Sequence, residues 1–317
     1  MSYAQFQTIA ASDYNGLIGV SPGTTANVLN TVWAVGGSAA GYGQPAEANV
    51  ATGNSVTAAK WANLVTKTAN AGTHQGSSLS AVTAPVSGGT ITYLANIPTN
   101  LTTIYSSRLN AAIQGTPATT TVARSGTWNN QLTWTFTSTF ANGDAARYFF
   151  NSGGQLKFTF SHPTGTTIDN SLNALATACG TIALSAPTSG TITIASTPYN
   201  GITKVGGSGT VNTIATNAGY YGLSTANTLA FKQLVASAPA GYTNTNLNMN
   251  IKTNGAVGTN GDVGNIVTVY VQFAELTSTG LTAATGTSVT MAIVPPETTN
   301  IANTWGAITP AGSVTGS

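Results

Sequence analysis

From Trp128 to Phe140 the chain alternates. Trp128, Asn130, Leu132, Trp134, Phe136, Ser138 and Phe140 occupy one set of positions, and Asn129, Gln131, Thr133, Thr135, Thr137 and Thr139 the other. A period of two places a mainly aromatic row on one face and a polar row on the opposite face, the signature of a long strand with one side in a core. The pattern returns in Leu156, Phe158 and Phe160 against Gln155, Lys157 and Thr159, and in Leu247, Met249 and Ile251 against Asn246, Asn248 and Asn250. Val267, Val269, Val271 and Phe273 predict a further strand, with Tyr270 on its other face suggesting a second contact. Ile182/Leu184 and Ile192/Ile194 flank a Pro187 to Gly190 turn and read as a hairpin. Strands of this kind must cover their apolar faces with one another, so residues 116–317 are expected to form an antiparallel β-sandwich-like domain.

The first 115 residues have a different period. Tyr14, Leu17 and Ile18 follow a potential Ser12 cap at helical spacing. Val28/Val32 and Leu29/Trp33 are paired four apart in a segment expected to start at Thr24 or Thr25 and to stop at Gly36-Gly37. The clearest helix is expected from Thr57 to Ala71, with Trp61, Leu64, Val65 and Thr68 on one face and Gly72 as its stop. A fourth is expected after Asn100, striped by Leu101, Ile104, Tyr105, Leu109, Ala112 and Ile113, ending at Gly115 and Pro117. A short strand is expected at Thr90–Tyr93. Between two aromatic strands, Asn142 to Gly154 predicts a short helix capped by Asp144 and stopped by Gly153, its Tyr148-Phe149-Phe150 cluster plugging the core. The fold class expected is therefore α+β and β-rich, with a helical N-terminal region (1–115) followed by the sandwich (116–317).

Charge narrows the function. Nine Lys/Arg and seven Asp/Glu make 5% of 317 residues, against roughly 25% in ordinary soluble domains. The hydrophobic share of 41%, with five Trp, eleven Tyr and nine Phe, supports a folded core rather than a disordered polar chain. The cations are scattered singly, so no row of phosphates is matched and nucleic acid is not expected as a partner. Cys179 is the single cysteine, which leaves no intrachain disulfide, and it is expected to be a small buried residue. No apolar run reaches the ~18 residues of a membrane span. The opening MSYAQFQTIAASDYNG has neither a basic nor an apolar region, so no secretory signal is expected. A surface this close to neutral favours association, and a homo-oligomer is expected.

Reactive groups are sparse. Asp13, Glu47, Asp144, Asp169, Asp262, Glu275 and Glu297 lie at least ten residues apart, so no local carboxylate pair suits glycoside hydrolysis. His74 and His162 are 88 positions apart, outside any metal-ligand spacing, and there is no G-x-S-x-G nucleophile elbow. The Asn254 to Asn265 loop holds one carboxylate, Asp262, too few for a strong Ca²⁺ site. No catalytic, cofactor or metal residue is therefore assigned. Tyr220, Tyr221 and Trp305 lie in Gly-rich contexts rather than clean strands and are the candidates for surface contact with a partner or a sugar.

The N-terminal third resembles a group of virion structural proteins of tailed bacteriophages, especially marine and cyanobacterial ones. The resemblance is carried in order by Ala11-Ser12-Asp13-Tyr14-Asn15, Thr31-Val32-Trp33, Gly41-Tyr42-Gly43-Gln44, Lys60-Trp61-Ala62-Asn63-Leu64 and His74-Gln75-Gly76, and again by Asp144 to Gly154 with its ARYFFNSGG element. It implies a non-enzymatic particle component, assembled in the host cytoplasm and located in the virion. A tail-associated place (fibre, fibre attachment or baseplate periphery) is expected, with itself and other virion proteins as partners. The alternatives are a capsid or tube decoration protein, or an adhesin contacting host-surface glycans. No cofactor is implied.

Overall fold

A computed structural model describes residues 10–19, 25–34, 40–87, 96–235, 244–274 and 282–316. Among them lie helices α1 (Ala11–Ile18), α2 (Leu29–Trp33), α3 (Ala58–Gln75), α4 (Asn96–Ser106), α5 (Gly143–Asn151) and α6 (Thr167–Cys179). The strands are β1 (Ala118–Ala123), β2 (Gln131–Thr139), β3 (Gln155–Ser161), β4 (Thr181–Leu184), β5 (Ile192–Ile194), β6 (Thr197–Tyr199), β7 (Ile202–Val205), β8 (Thr213–Ile214), β9 (Thr228–Leu234), β10 (Asn246–Thr253), β11 (Ile266–Ala274), β12 (Ser288–Val294) and β13 (Thr309–Gly316). The fold is α+β and β-rich, with most helices ahead of antiparallel sheets. The expected Thr90–Tyr93 strand and the Thr24 and Gly36-Gly37 boundaries lie outside the described residues. No helix among the described residues is long and apolar enough to cross a membrane.

Two sheets face each other, ordered β1-β12-β3-β4-β7 and β13-β2-β11-β10-β9-β8. The alternating rows make the interior between them. Leu132, Trp134 and Phe136 of β2 and Val267, Val269, Val271 and Phe273 of β11 are buried against Leu156 and Phe158 of β3 and Val289 and Met291 of β12. Phe136 meets Phe158 edge-on at 5.9 Å, and Phe160 meets Phe273 at 6.4 Å. These offset geometries suit the ring quadrupoles and add about 0.5–1.5 kcal/mol per pair beyond area burial.

Helix ends show where packing outranks local signals. Thr57 caps α3 by accepting from the Lys60 N–H. The helix passes through Gly72 and ends at Gly76, whose φ of +71° suits glycine. Gly72 is a packing position: a Cβ there would lie 2.4 Å from Leu79 Cδ1. At α1 the N-cap is Ala10 rather than Ser12. α4 starts earlier than the stripe predicts, with Pro98 in the first turn where its missing N–H leaves no bond unmade. It ends at Ser106, because Ala111 turns to bridge Ile194. α5 is capped by Asn142, which accepts from the Ala145 N–H, while Asp144 sits in the first turn beside Arg147.

The expected hairpin of Ile182/Leu184 with Ile192/Ile194 does not form. β4 lies between β3 and β7, while β5 pairs with β6. After Leu184 the chain leaves the sheet, held by the Ser185 N–H on Gly201 O and the Tyr220 N–H on Ser185 O. β5 and β6 are joined instead by Ala195 and Ser196, both at positive φ (48° and 64°), the conformation of a tight hairpin turn.

The expected division near residue 115 marks a change of secondary structure, and the core runs across it. Tyr14, Leu29, Trp61, Leu64 and Leu101 belong to the same buried cluster as Phe149, Phe150 and the sheet interior. The backbone bond from Gly115 to Pro295 O and the side-chain bonds of Gln44 to Ala302 and His74 to Glu297 stitch the two parts together.

Candidate assembly surface and the buried polar latches

Two buried histidine–carboxylate pairs organise the polar interior. His162, just beyond β3, places Nε2 3.0 Å from Asp169 Oδ1 and Nδ1 2.7 Å from Thr287 Oγ1. Trp128 Nε1–H donates to the same Thr287 oxygen. The ionised Asp169 carboxylate can only accept, so the neutral imidazole carries its proton on Nε2 and donates it there, and Nδ1 accepts from the Thr287 hydroxyl, which accepts in turn from the indole. Asp169 also accepts from the Thr166 N–H and hydroxyl and from the Ala284 N–H. Thr166 and Asp169 form the capping box of α6. The cluster has the residue types of a Thr–His–Asp catalytic triad, but His162 and Thr287 are buried and the threonine hydroxyl is occupied on both sides. It ties α6 to the chain entering β2, leaving β3 and entering β12.

The energetics follow from the bonds. Burial alone pushes the Asp169 carboxyl up, but the Ala284, His162 and Thr166 donors outweigh it and hold the carboxyl at about 2. Burial pushes the His162 imidazole below its ordinary 6.5, against the opposing pull of Asp169.

The second pair joins the helices to the β-region. His74, near the end of α3, sets Nδ1 3.1 Å from Glu297 Oε1 and packs edge-on to Tyr42. Burial raises the Glu297 carboxyl, and the donors His74, Thr299 and Asn300 outweigh this to hold it at about 2. Around this pair, Gln44 exchanges bonds with Ala302 through both ends of its amide. Gln75 donates to the Tyr42 hydroxyl and to Ile104 O, and Tyr42 donates to Arg108 O. Asn151 of α5 donates to Ala40 O and Gly41 O. Further out, Tyr14 donates to Glu47, which also pairs with Lys67 at 2.7 Å. Asn15 exchanges bonds with Val50 in the same way as Gln44 does with Ala302. The separate motifs of the N-terminal third therefore meet in space as internal fasteners.

The candidate contact aromatics lie elsewhere than expected. Trp305 is 3% exposed and packs edge-on to Phe149. Tyr220 is 0% exposed, stacked on Phe150 at 4.3 Å, with its hydroxyl on Gly264 O. Tyr221 is half-buried and donates to Asn151 Oδ1 at 2.7 Å. In this fold Trp305 and Tyr220 are therefore core residues, not contact surfaces. The glycines beside the tyrosines mark close backbone approach: a Cβ on Gly219 would lie 1.8 Å from Pro187 O. That brings the loop down on the core instead of lifting its rings into solvent. The Asp262 carboxylate closes its own loop by accepting from the Thr259 N–H and hydroxyl. Among the described residues no group of three or more His, Cys, Asp or Glu is placed to hold a metal ion. A groove of about 340 Å³ beside α3 is lined by Val65, Thr68, Leu79, Ile97 and Asn100 among others, all without titratable groups.

The two sides of the sandwich differ at their edges. On one side the edge strands β7 and β8 are four and two residues long, and Lys204 reaches from β7 to Gln233 and Ser208. Short strands and lysines are the usual protection of a sheet edge. On the other side, β1 and β13 carry no charged residue. β13 is eight residues long and exposed at every position but Val314, which is half-buried. It lies over β1, with Gly312 allowing the approach to Val122 and Phe136. The direction of its hydrogen bonds follows from its neighbour. The Phe140 N–H bonds Asn265 O on the β11 side, so by alternation Thr133, Thr135, Thr137 and Thr139 of β2 turn toward β13. Their partners Thr309, Ala311, Ser313 and Thr315 are satisfied by β2. The backbone of Gly312 and Val314 points outward, and among the described residues no strand pairs with that edge. Pro310 falls on the same outward register, where a missing N–H breaks no bond to β2.

Compared with known proteins, the chain matches no family model, no curated protein and no solved structure.

Proposed function

We propose that this chain is a non-enzymatic structural protein of a tailed-bacteriophage virion, tail-associated and working as a homo-oligomer. One observation carries the reading: the motif residues that give the resemblance act as buried fasteners, Gln44 and His74 between the helices and the β-region and Tyr14, Tyr42 and Gln75 within the helical region. That is the expected use of such residues in a particle part whose task is to hold a shape. The low surface charge supports the same reading, since it places little electrostatic repulsion between copies. In this proposal the helical region anchors to the particle and the β-region faces outward.

Electron microscopy of purified particles labelled with an antibody to this chain tests the placement. Label at the tail tip, baseplate or collar is the expected result. Label over the head or along the tube would replace it with a shell or decoration role, and absence from disrupted as well as intact particles would end the virion reading.

A further inference from the structure

We infer that β13 pairs edge to edge with β13 of a second copy of this chain, antiparallel across a two-fold axis at Ser313, joining two six-stranded sheets into one. The inference rests on the homo-oligomer reading and gives that oligomer a surface. A long exposed edge strand is a template for another strand, and proteins that remain monomeric blunt it with lysines, prolines, bulges or short length. Here the β7/β8 side uses short strands and lysine, whereas β13 is long, uncharged and carries a proline only near its start, at Pro310.

The occupant follows from the chemistry of the edge. Its outward groups are the N–H and C=O of Gly312 and Val314, which are self-complementary in an antiparallel pair. With the axis at Ser313, Gly312 of one copy lies opposite Val314 of the other, and Pro310 opposite Gly316. The residue without a donor then meets the last described residue of the strand and leaves the central pairs intact. With no charge on the strand, self-pairing sets no like charges against each other. The solvent-side residues Ala311, Ser313 and Thr315 are small, so the two solvent faces continue without a bulky step.

Cysteine cross-linking in the full-length chain reads the register directly. Ser313 would face its own copy as a non-hydrogen-bonded pair, about 4.5 Å apart at Cα, which is within disulfide reach. The native thiol Cys179 is buried and gives a quiet background. Ser313→Cys is expected to form a covalent dimer on mild oxidation. Ala311→Cys and Thr315→Cys are expected to cross-link when mixed and not when alone. In sedimentation, Ser313→Lys and Ser313→Glu are each expected to raise the dimer dissociation constant by about tenfold or more, and an equimolar mixture to restore dimerisation. Ser313 is exposed, so neither variant disturbs the fold. A wild-type oligomer that gives no Ser313 cross-link and ignores both charges would overturn the edge pairing and leave the homo-oligomer reading standing. A wild-type chain that stays monomeric at every concentration would overturn both.

Discussion

Asp169 closes the capping box of α6, orients His162 and anchors the Ala284 backbone, all from one buried carboxylate. Removing Asp169 leaves the His162 Nε2–H buried without its acceptor and takes the acceptor from the Ala284 N–H, which costs roughly 1–3 kcal/mol per unsatisfied donor. Asp169→Ala is therefore expected to lower the unfolding free energy measured in urea by at least that amount, while Thr121→Ala, which removes only an exposed hydrogen bond to Thr290, costs much less. Equal losses in the two variants would show that the latch has no special weight. The same groups set the response to acid. Asp169 and Glu297 sit at about 2 when folded, below their ordinary 3.8 and 4.5, so between those values the unfolded chain binds more protons. Their stabilisation is complete above pH 4.5 and is lost as pH falls toward 2. His162 is also depressed when folded, so its share begins to fall as pH drops below 6.5. Urea midpoints measured from pH 8 to pH 2.5 should decline gently at first and then steeply, and a flat profile would contradict the latch assignment.

Elements that bury one face were legible, and those stabilised by other means were not. β2, β3, β10 and β11 follow the aromatic and aliphatic alternation to within a few residues, and α3 and α5 follow their apolar stripes. β13 leaves no such trace, because an exposed strand needs no apolar row. α6 carried a readable signal in Thr166 and Asp169, three apart at the start of a stripe of Ile168, Leu172 and Leu175. The Ala195-Ser196 turn carried none, since neither residue is a usual source of positive φ. The end of α3 was misplaced because Gly72 serves a tertiary contact rather than a stop. Gly72→Ala tests this: helix propensity favours alanine by up to about 1 kcal/mol, but the new methyl meets Leu79 and overpacking costs about 1–3 kcal/mol. Net destabilisation is expected, and the companion change Leu79→Ala should reverse its sign. The contacts joining His74 to Glu297 and Gln44 to Ala302 span more than 200 positions, beyond the reach of any local pattern.

At the scale of the molecule, one core joins the helices to both sheets. Calorimetry is expected to show a single unfolding transition whose calorimetric and van't Hoff enthalpies agree, and residues 116–317 produced alone should lack native near-ultraviolet dichroism. Two resolved transitions would instead mark the change near residue 115 as a true domain boundary. The buried latches also fix how the chain answers to its medium. Dissolved ions weaken attractions between exposed charges and hardly reach those shielded from water. His74–Glu297 and His162–Asp169 are shielded on both sides, and Glu47–Lys67 on one. Melting temperature should therefore vary little between dilute buffer and about 1 M sodium chloride. A protein fastened in this way would keep its shape from fresh water to brine.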